Sequence, residues 1–217
     1  MFLILAFCLL AGCSDLSGLV KEKPLNVPPE YHQKVGLYVH DKPERFFYPG
    51  SATLDVSDLM SFHLQQVLPF TAESAFKQIF SNVELKQPGA KIEFKTPDMP
   101  GYFEIKIASA RYDYPDPGLA QYQAEITLLV EFKTSGDEVV WKGIFEGSGV
   151  GYSDPNVRLT QFGREAASAL EDAFQNAVYK MQDAVVNSQS LREYFRWYQA
   201  KKMQEQKPPE PKPPQTY

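Results

Sequence analysis

Hydrophobic and polar residues alternate most regularly between positions 121 and 133. Tyr122, Ala124, Ile126, Leu128, Val130 and Phe132 fall on one side, and Gln121, Gln123, Glu125, Thr127, Glu131 and Lys133 on the other. A period of two over this length predicts a strand with one dry and one wet face. Ser135-Gly136-Asp137 predicts a tight hairpin turn. Val139, Trp141 and Phe145 then return the apolar face, with Gly143 as the place for a bulge or close approach. Upstream, Phe103, Ile105 and Ile107 alternate with Glu104 and Lys106 in a strand over 102–112, entered by the turn at Pro100-Gly101 and left by Tyr114-Pro115-Asp116-Pro117-Gly118.

The spacing changes from two to three and four elsewhere. Leu159, Phe162, Ala166, Leu170, Ala173, Phe174, Ala177, Val178, Met181, Ala184 and Val185 form one stripe. It predicts a helix over 158–186, ~43 Å long, able to cover a sheet. Pro69 at a first turn, with Ala72, Ala75, Phe76, Ile79 and Phe80, predicts an earlier helix over 69–81. Segment 57–68 fits either state: Ser57 is a helix cap, but Met60, Phe62 and Leu64 alternate. Val35 to Val39 reads as a first strand, Val83 to Leu85 as another, Ile92 and Phe94 as the start of a β-rich middle, and Gly147 to Asn156 as a loop. Ser190-Leu191-Arg192-Glu193 fits a capping box for a last helix. The expected fold class is α+β: a single antiparallel or mixed sheet, two main helices on one face, and a short C-terminal helix.

The N-terminus breaks this pattern. Met1 to Leu9 is apolar, too short for the ~20 residues that cross a bilayer, and ends in Leu10-Ala11-Gly12-Cys13. A short apolar run followed by small residues is the form of a secretory signal. The four residues resemble the lipobox of bacterial lipoproteins. That resemblance implies cleavage before Cys13 and a covalent lipid on it, with no other cofactor. It also implies that Ser14, in the position after the cysteine, directs the protein to the outer membrane, facing the periplasm; inner-membrane anchoring is the alternative address. No Lys or Arg precedes the apolar run, where an export signal normally carries charge, so the expectation is a start upstream of Met1 or an atypical signal.

The domain organisation expected is then signal peptide 1–12, lipidated tether 13–34, α+β domain 35–188, amphipathic helix 189–204 and a proline-rich tail 205–217. Pro24, Pro28 and Pro29 mark the tether, which as a coil would reach ~25 Å. The order of elements over 35–186 resembles small periplasmic lipoproteins that serve lipopolysaccharide assembly, curli secretion or activation of peptidoglycan synthases. That likeness implies a membrane-held binding or assembly role with an envelope protein partner.

Composition narrows the chemistry. The chain has 217 residues, 43% of them hydrophobic, and a net charge of −5. Such a balance gives no global electrostatic pull toward nucleic acid or anionic lipid. Cys8 and Cys13 are the two cysteines; one leaves with the signal and one is acylated, so the mature body has no disulfide, zinc thiolate or cysteine nucleophile. The three histidines, His32, His40 and His63, show no metal-ligand spacing, and no metal is expected. Gly147-Ser148-Gly149-Val150-Gly151 lacks the Lys-Ser/Thr of a phosphate loop. Asp113, Asp116 and Asp154 read as turn residues, without the bidentate Glu of a calcium loop. No catalytic signature stands out, and the protein is expected not to be an enzyme. The alternative is an envelope hydrolase cleaving peptidoglycan with a pair of carboxylates. Candidate contact residues for a partner or membrane are Tyr194, Phe195, Trp197 and Tyr198 on the last helix and Phe46, Phe47 and Tyr48 in an early loop.

Overall fold

Strand β5 (Gln121–Thr134) is the straightest consequence of the alternation. Ala124, Ile126, Leu128, Val130 and Phe132 are all buried, while Gln123 and Glu125 are exposed. It pairs antiparallel with β4 (Gly101–Asp113) on one side and β6 (Val139–Tyr152) on the other. The computed structural model describes residues 31–40, 44, 46–47, 68–86, 98–113, 121–152 and 162–206. The lipobox, Tyr48, His63, segment 57–67, Ile92 and Phe94, the 114–118 turn and the tail from 207 lie outside the described residues.

The remaining strands are β1 (Tyr31–Val39), β2 (Phe46–Phe47) and β3 (Phe80–Lys86). The sheet order is β3-β1-β4-β5-β6, with β2 also pairing β4. Strand β1 is parallel to both β3 and β4, so the sheet is mixed. A parallel neighbour needs a crossover, and α1, helical over residues 68–79, lies between β1 and β3 in the chain. Helix α2 (Phe162–Asn187) and helix α3 (Gln189–Glu205) are the last of the described elements. The fold is α+β, as the patterning predicts.

Four local expectations need correction. First, β1 begins at Tyr31, four residues inside the expected tether. Tyr31 is buried because its ring stacks on Phe80 at 5.2 Å and meets Phe195 at 4.9 Å. Second, α1 stops at residue 79, and Phe80 opens β3. Phe80 is drawn into a cluster with Phe76, Phe103 and Phe195; such ring pairs add ~0.5–1.5 kcal/mol each beyond burial.

Third, Gly147 to Tyr152 is strand, not loop. The glycines let α2 lie against the backbone of β6. A Cβ at Gly147 would sit 1.8 Å from the carbonyl oxygen of Ala173, and one at Gly149 would sit 2.0 Å from that of Ala169. Ala169, Ala173 and Ala177 are fully buried along this seam. Fourth, the cap of α3 is Ser188 rather than Ser190. The Leu191 amide donates to the Ser188 hydroxyl at 3.3 Å, and Ser188 has extended backbone.

Core packing follows from the α2 stripe. Leu170, Phe174, Val178, Met181 and Val185 are buried with Phe103, Ile105, Ile107 and the inward residues of β5. Buried Gln182 donates to the Ala75 carbonyl at 2.9 Å, which satisfies its own buried amide and ties α2 to α1. No helix among the described residues is long and apolar enough to cross a membrane.

Candidate functional site

All helix packing described above falls on one face of the sheet. The opposite face of β4, β5 and β6 carries the polar residues of the alternation, and it holds the densest charge cluster in the described chain. Glu104 of β4 sits directly opposite Glu131 of β5, and Glu131 opposite Lys142 of β6. Like charges opposed across two strands repel. Lysines placed around them offset this. Lys133 pairs with Glu104 and, at 3.3 Å, with Glu131. Lys142 reaches Glu131 at 3.3 Å, and Lys106 lies 3.5 Å from Glu104.

His40 completes the shell of Glu104, its Nε2 2.6 Å from Oε1. It comes from the end of β1, where its backbone amide donates to the Ile105 carbonyl at 2.9 Å. Tyr38, paired with Glu104 in register, sets its ring edge-on to the imidazole at 5.0 Å. Glu104 is only 5% exposed. Burial pushes its carboxyl up, but hydrogen bonds from Lys133 and His40 and the charges of Lys133 and Lys106 outweigh this and hold it below the usual carboxylate range. Glu131 is lowered in the same way: burial raises it, and bonds from Lys133 and Lys142 overcome that. Lys133 is correspondingly raised: desolvation lowers it, and its bonds to the two carboxylates prevail.

Beside this cluster, the Tyr102 hydroxyl donates to Asp137 at 2.6 Å. Asp137 holds a left-handed backbone, φ 63°, in the predicted hairpin. The Tyr102 phenol is pushed up, first by burial and then by the Asp137 bond. Farther out on β6, Ile144 is 65% exposed and Val150 37%. The open face thus combines fixed ion pairs with apolar side chains. Beyond β6 no further strand pairs among the described residues. Two of its backbone carbonyls are occupied by α2 instead: Lys180 donates to Glu146 O at 2.6 Å and Asn176 to Ser148 O at 2.8 Å.

The residues singled out in the sequence are scattered. Phe195 is 2% exposed and packs on Phe132 at 5.3 Å, so it is a core residue and not a contact for a partner. Tyr194 is half-buried, donates its hydroxyl to the Pro100 carbonyl at 2.7 Å, and has its phenol raised chiefly by burial. It serves the same packing. Trp197 is 55% exposed, with the Lys201 ammonium 5.5 Å from its ring centre. Tyr198 is intermediate, under the Lys202 ammonium at 5.7 Å, and Lys202 pairs with Asp98. Phe46 and Phe47 form β2 against Ala110 and Arg111. His32 is an exposed residue of β1. No group of three metal-ligating side chains occurs among the described residues. A small groove between α1 and α2, lined by Thr71, Ser74, Gln78, Gln175, Tyr179 and Gln182, holds no pair of ionisable carboxylates.

The Glu104 cluster was missed in the sequence. Its members are 64 and 29 residues apart along the chain. The usable signal was weaker: a glutamate alternating between two core residues, flanked by Lys106 on the same face.

No family model matches the sequence, and no curated protein matches it. Among solved structures, the chain is similar to a minor lipoprotein from Acinetobacter baumannii, at 9% identity over 73% of this chain and 93% of that one, with a TM-score of 0.37. It is also similar to a lipoprotein from Neisseria meningitidis, at 10% identity over 71% and 99%, with a TM-score of 0.34. A third likeness is to the PelC dodecamer from Paraburkholderia phytofirmans, at 12% identity over 70% and 94%, with a TM-score of 0.30. At these TM-scores the likenesses carry nothing about activity, address or partners to this chain.

Proposed function

We propose that this chain is a lipid-anchored lipoprotein of the outer membrane, facing the periplasm, that binds a protein partner in envelope assembly and is not itself a catalyst. The observation that carries this reading is the open face of β4–β6. It presents Ile144 and Val150 beside a row of paired charges, and among the described residues helices occupy only the opposite face. Fixed ion pairs give register and selectivity to a partner of complementary charge. The anchor follows from Leu10-Ala11-Gly12-Cys13, the covalent lipid being carried on Cys13.

The hydrolase alternative would rest on Glu104 and Glu131, a carboxylate pair that the fold brings together on this face. Glycoside hydrolysis needs one carboxyl with a raised pKa to donate a proton. Both of these are lowered, and they stand side by side on adjacent strands rather than across a cleft. Their chemistry favours holding cations over transferring protons.

A photo-crosslinking side chain at Ile144 in the full chain, in cells, should capture one defined envelope protein, and the same group at Asp183 on the outer side of α2 should not. Equal capture from both positions would overturn the open-face reading. Separately, Cys13→Ala should leave the chain unprocessed or released from the outer membrane; retention there would overturn the anchor.

A further inference from the structure

The outer side of α3 is unlike the outer side of α2. At ~100° per residue, Leu191 and Phe195 point into the core, and Trp197, Ala200 and Gln204 share the opposite side with Glu193, which lies near the start of the helix and accepts from Gln189. Arg196 and Lys201 flank that side, both exposed, and Lys201 sits over the Trp197 ring. Met203, 67% exposed, lies beside Arg196. An exposed Trp with cations on either side suits the boundary between lipid headgroups and acyl chains.

A second observation points to the same surface. Tyr31, where the described body begins, packs its ring on Phe195 of α3 at 4.9 Å. The chain coming from Cys13 therefore enters the body against the inner side of this helix. From Cys13 to Tyr31 is 18 residues, at most ~65 Å even fully extended. A lipid on Cys13 would keep α3 within that distance of a bilayer at all times, so weak headgroup contacts act at high effective concentration.

We infer that the Arg196–Trp197–Lys201 face of α3 docks on the anionic surface of the bilayer that holds the anchor. This rests on the lipoprotein reading above. Docking fixes the orientation of the body. Because Phe195 packs on Phe132 and Phe80, residues of the helix-covered side, contact through α3 leaves the open face of β4–β6 free for a partner.

The test uses the full lipidated chain with Trp141→Phe, so that Trp197 is the only tryptophan. It is reconstituted into phosphatidylethanolamine vesicles with or without about one-third phosphatidylglycerol, an anionic fraction large enough to attract cations. Two readouts are taken: flotation with the vesicles, and quenching of Trp197 by brominated acyl chains. Quenching should occur in the anionic vesicles. It should fall by about tenfold or more when Arg196→Glu and Lys201→Glu are combined, with flotation unchanged. If the chain floats but Trp197 is unquenched, or is quenched equally without phosphatidylglycerol, the docking proposal is overturned and the anchor stands. A chain that does not float refutes the anchor, and the docking proposal with it. Both substituted side chains are exposed, and an unchanged far-ultraviolet circular dichroism spectrum checks that the variant is folded.

Discussion

The seam between α2 and β6 allows a sharp test, because the neighbouring atoms belong to backbone. Gly147→Ala would place a methyl carbon 1.8 Å from the Ala173 carbonyl oxygen and 2.6 Å from the Ala177 amide nitrogen. A side chain could rotate aside; a helix backbone packed by Leu170, Phe174 and Met181 cannot. Relief requires α2 to lift from the sheet along several residues. Overpacking of a core costs typically ~1–3 kcal/mol, and the backbone contact places this change at the upper end, about 3 kcal/mol. For a folded body of this size each 1 kcal/mol shifts Tm by about 2–4 °C, so the expected loss is about 6–12 °C. Thermal unfolding followed by circular dichroism reads it. Gly136→Ala is the control: its Cβ would meet only the Thr134 hydroxyl at 3.7 Å, and a loss within about 0.5 kcal/mol is expected. Ala173→Gly should fail to rescue Gly147→Ala, since it removes a methyl group and leaves the clashing carbonyl in place. A Gly147→Ala protein that melts with the wild type, or one restored by Ala173→Gly, would refute the backbone-contact argument.

Further outcomes follow from the charge cluster and the cap. Glu104→Gln leaves Lys133 and His40 without their shared carboxylate and should destabilise by about 1–3 kcal/mol, read by urea unfolding at neutral pH. Glu104 and Glu131 are both depressed in the fold from a usual value of 4.5. Their contribution is therefore fully present above that value and is lost as pH falls below it, through their folded pKa values. Unfolding free energy measured from neutral to acid pH should drop in that window, and should drop less in Glu104→Gln. Ser188→Ala should cost about 1 kcal/mol through loss of the α3 cap, and Ser190→Ala much less, which distinguishes the two serines in one denaturation series.

Much of the fold was legible where periodicity alone determines it. β4 and β5 follow the strict alternation of Phe103 to Ile107 and of Ala124 to Phe132, and α2 follows its apolar stripe. Departures arise where tertiary contact sets the local state. Gly147 to Gly151 has the composition of a loop, but its glycines recur every second residue, in step with alanines every fourth residue of α2. Either half of that match looks unremarkable alone. Tyr31 lies among prolines and polar residues, and only Phe80 and Phe195, both distant in sequence, make it a core residue. The charge cluster was illegible for the same reason: His40 reaches Glu104 because β1 inserts between β3 and β4, a parallel pairing that no local pattern announces. On α3, aromatic content suggested one contact surface; the helical period divides it, sending Phe195 inward and Trp197 outward.

The position of β1 also bears on force. A pull on the chain ahead of Tyr31, along the strand, shears β1 against β3, paired from Tyr31 to Tyr38, and farther along against β4, paired from Gly36 to Val39. Sliding β1 out would require both ladders to break in concert, whereas a strand peeled from an edge breaks one bond at a time. The body is thus held at its N-terminal end by an interior strand, so tension carried along a leash would pass into β3 and β4 on both sides of it.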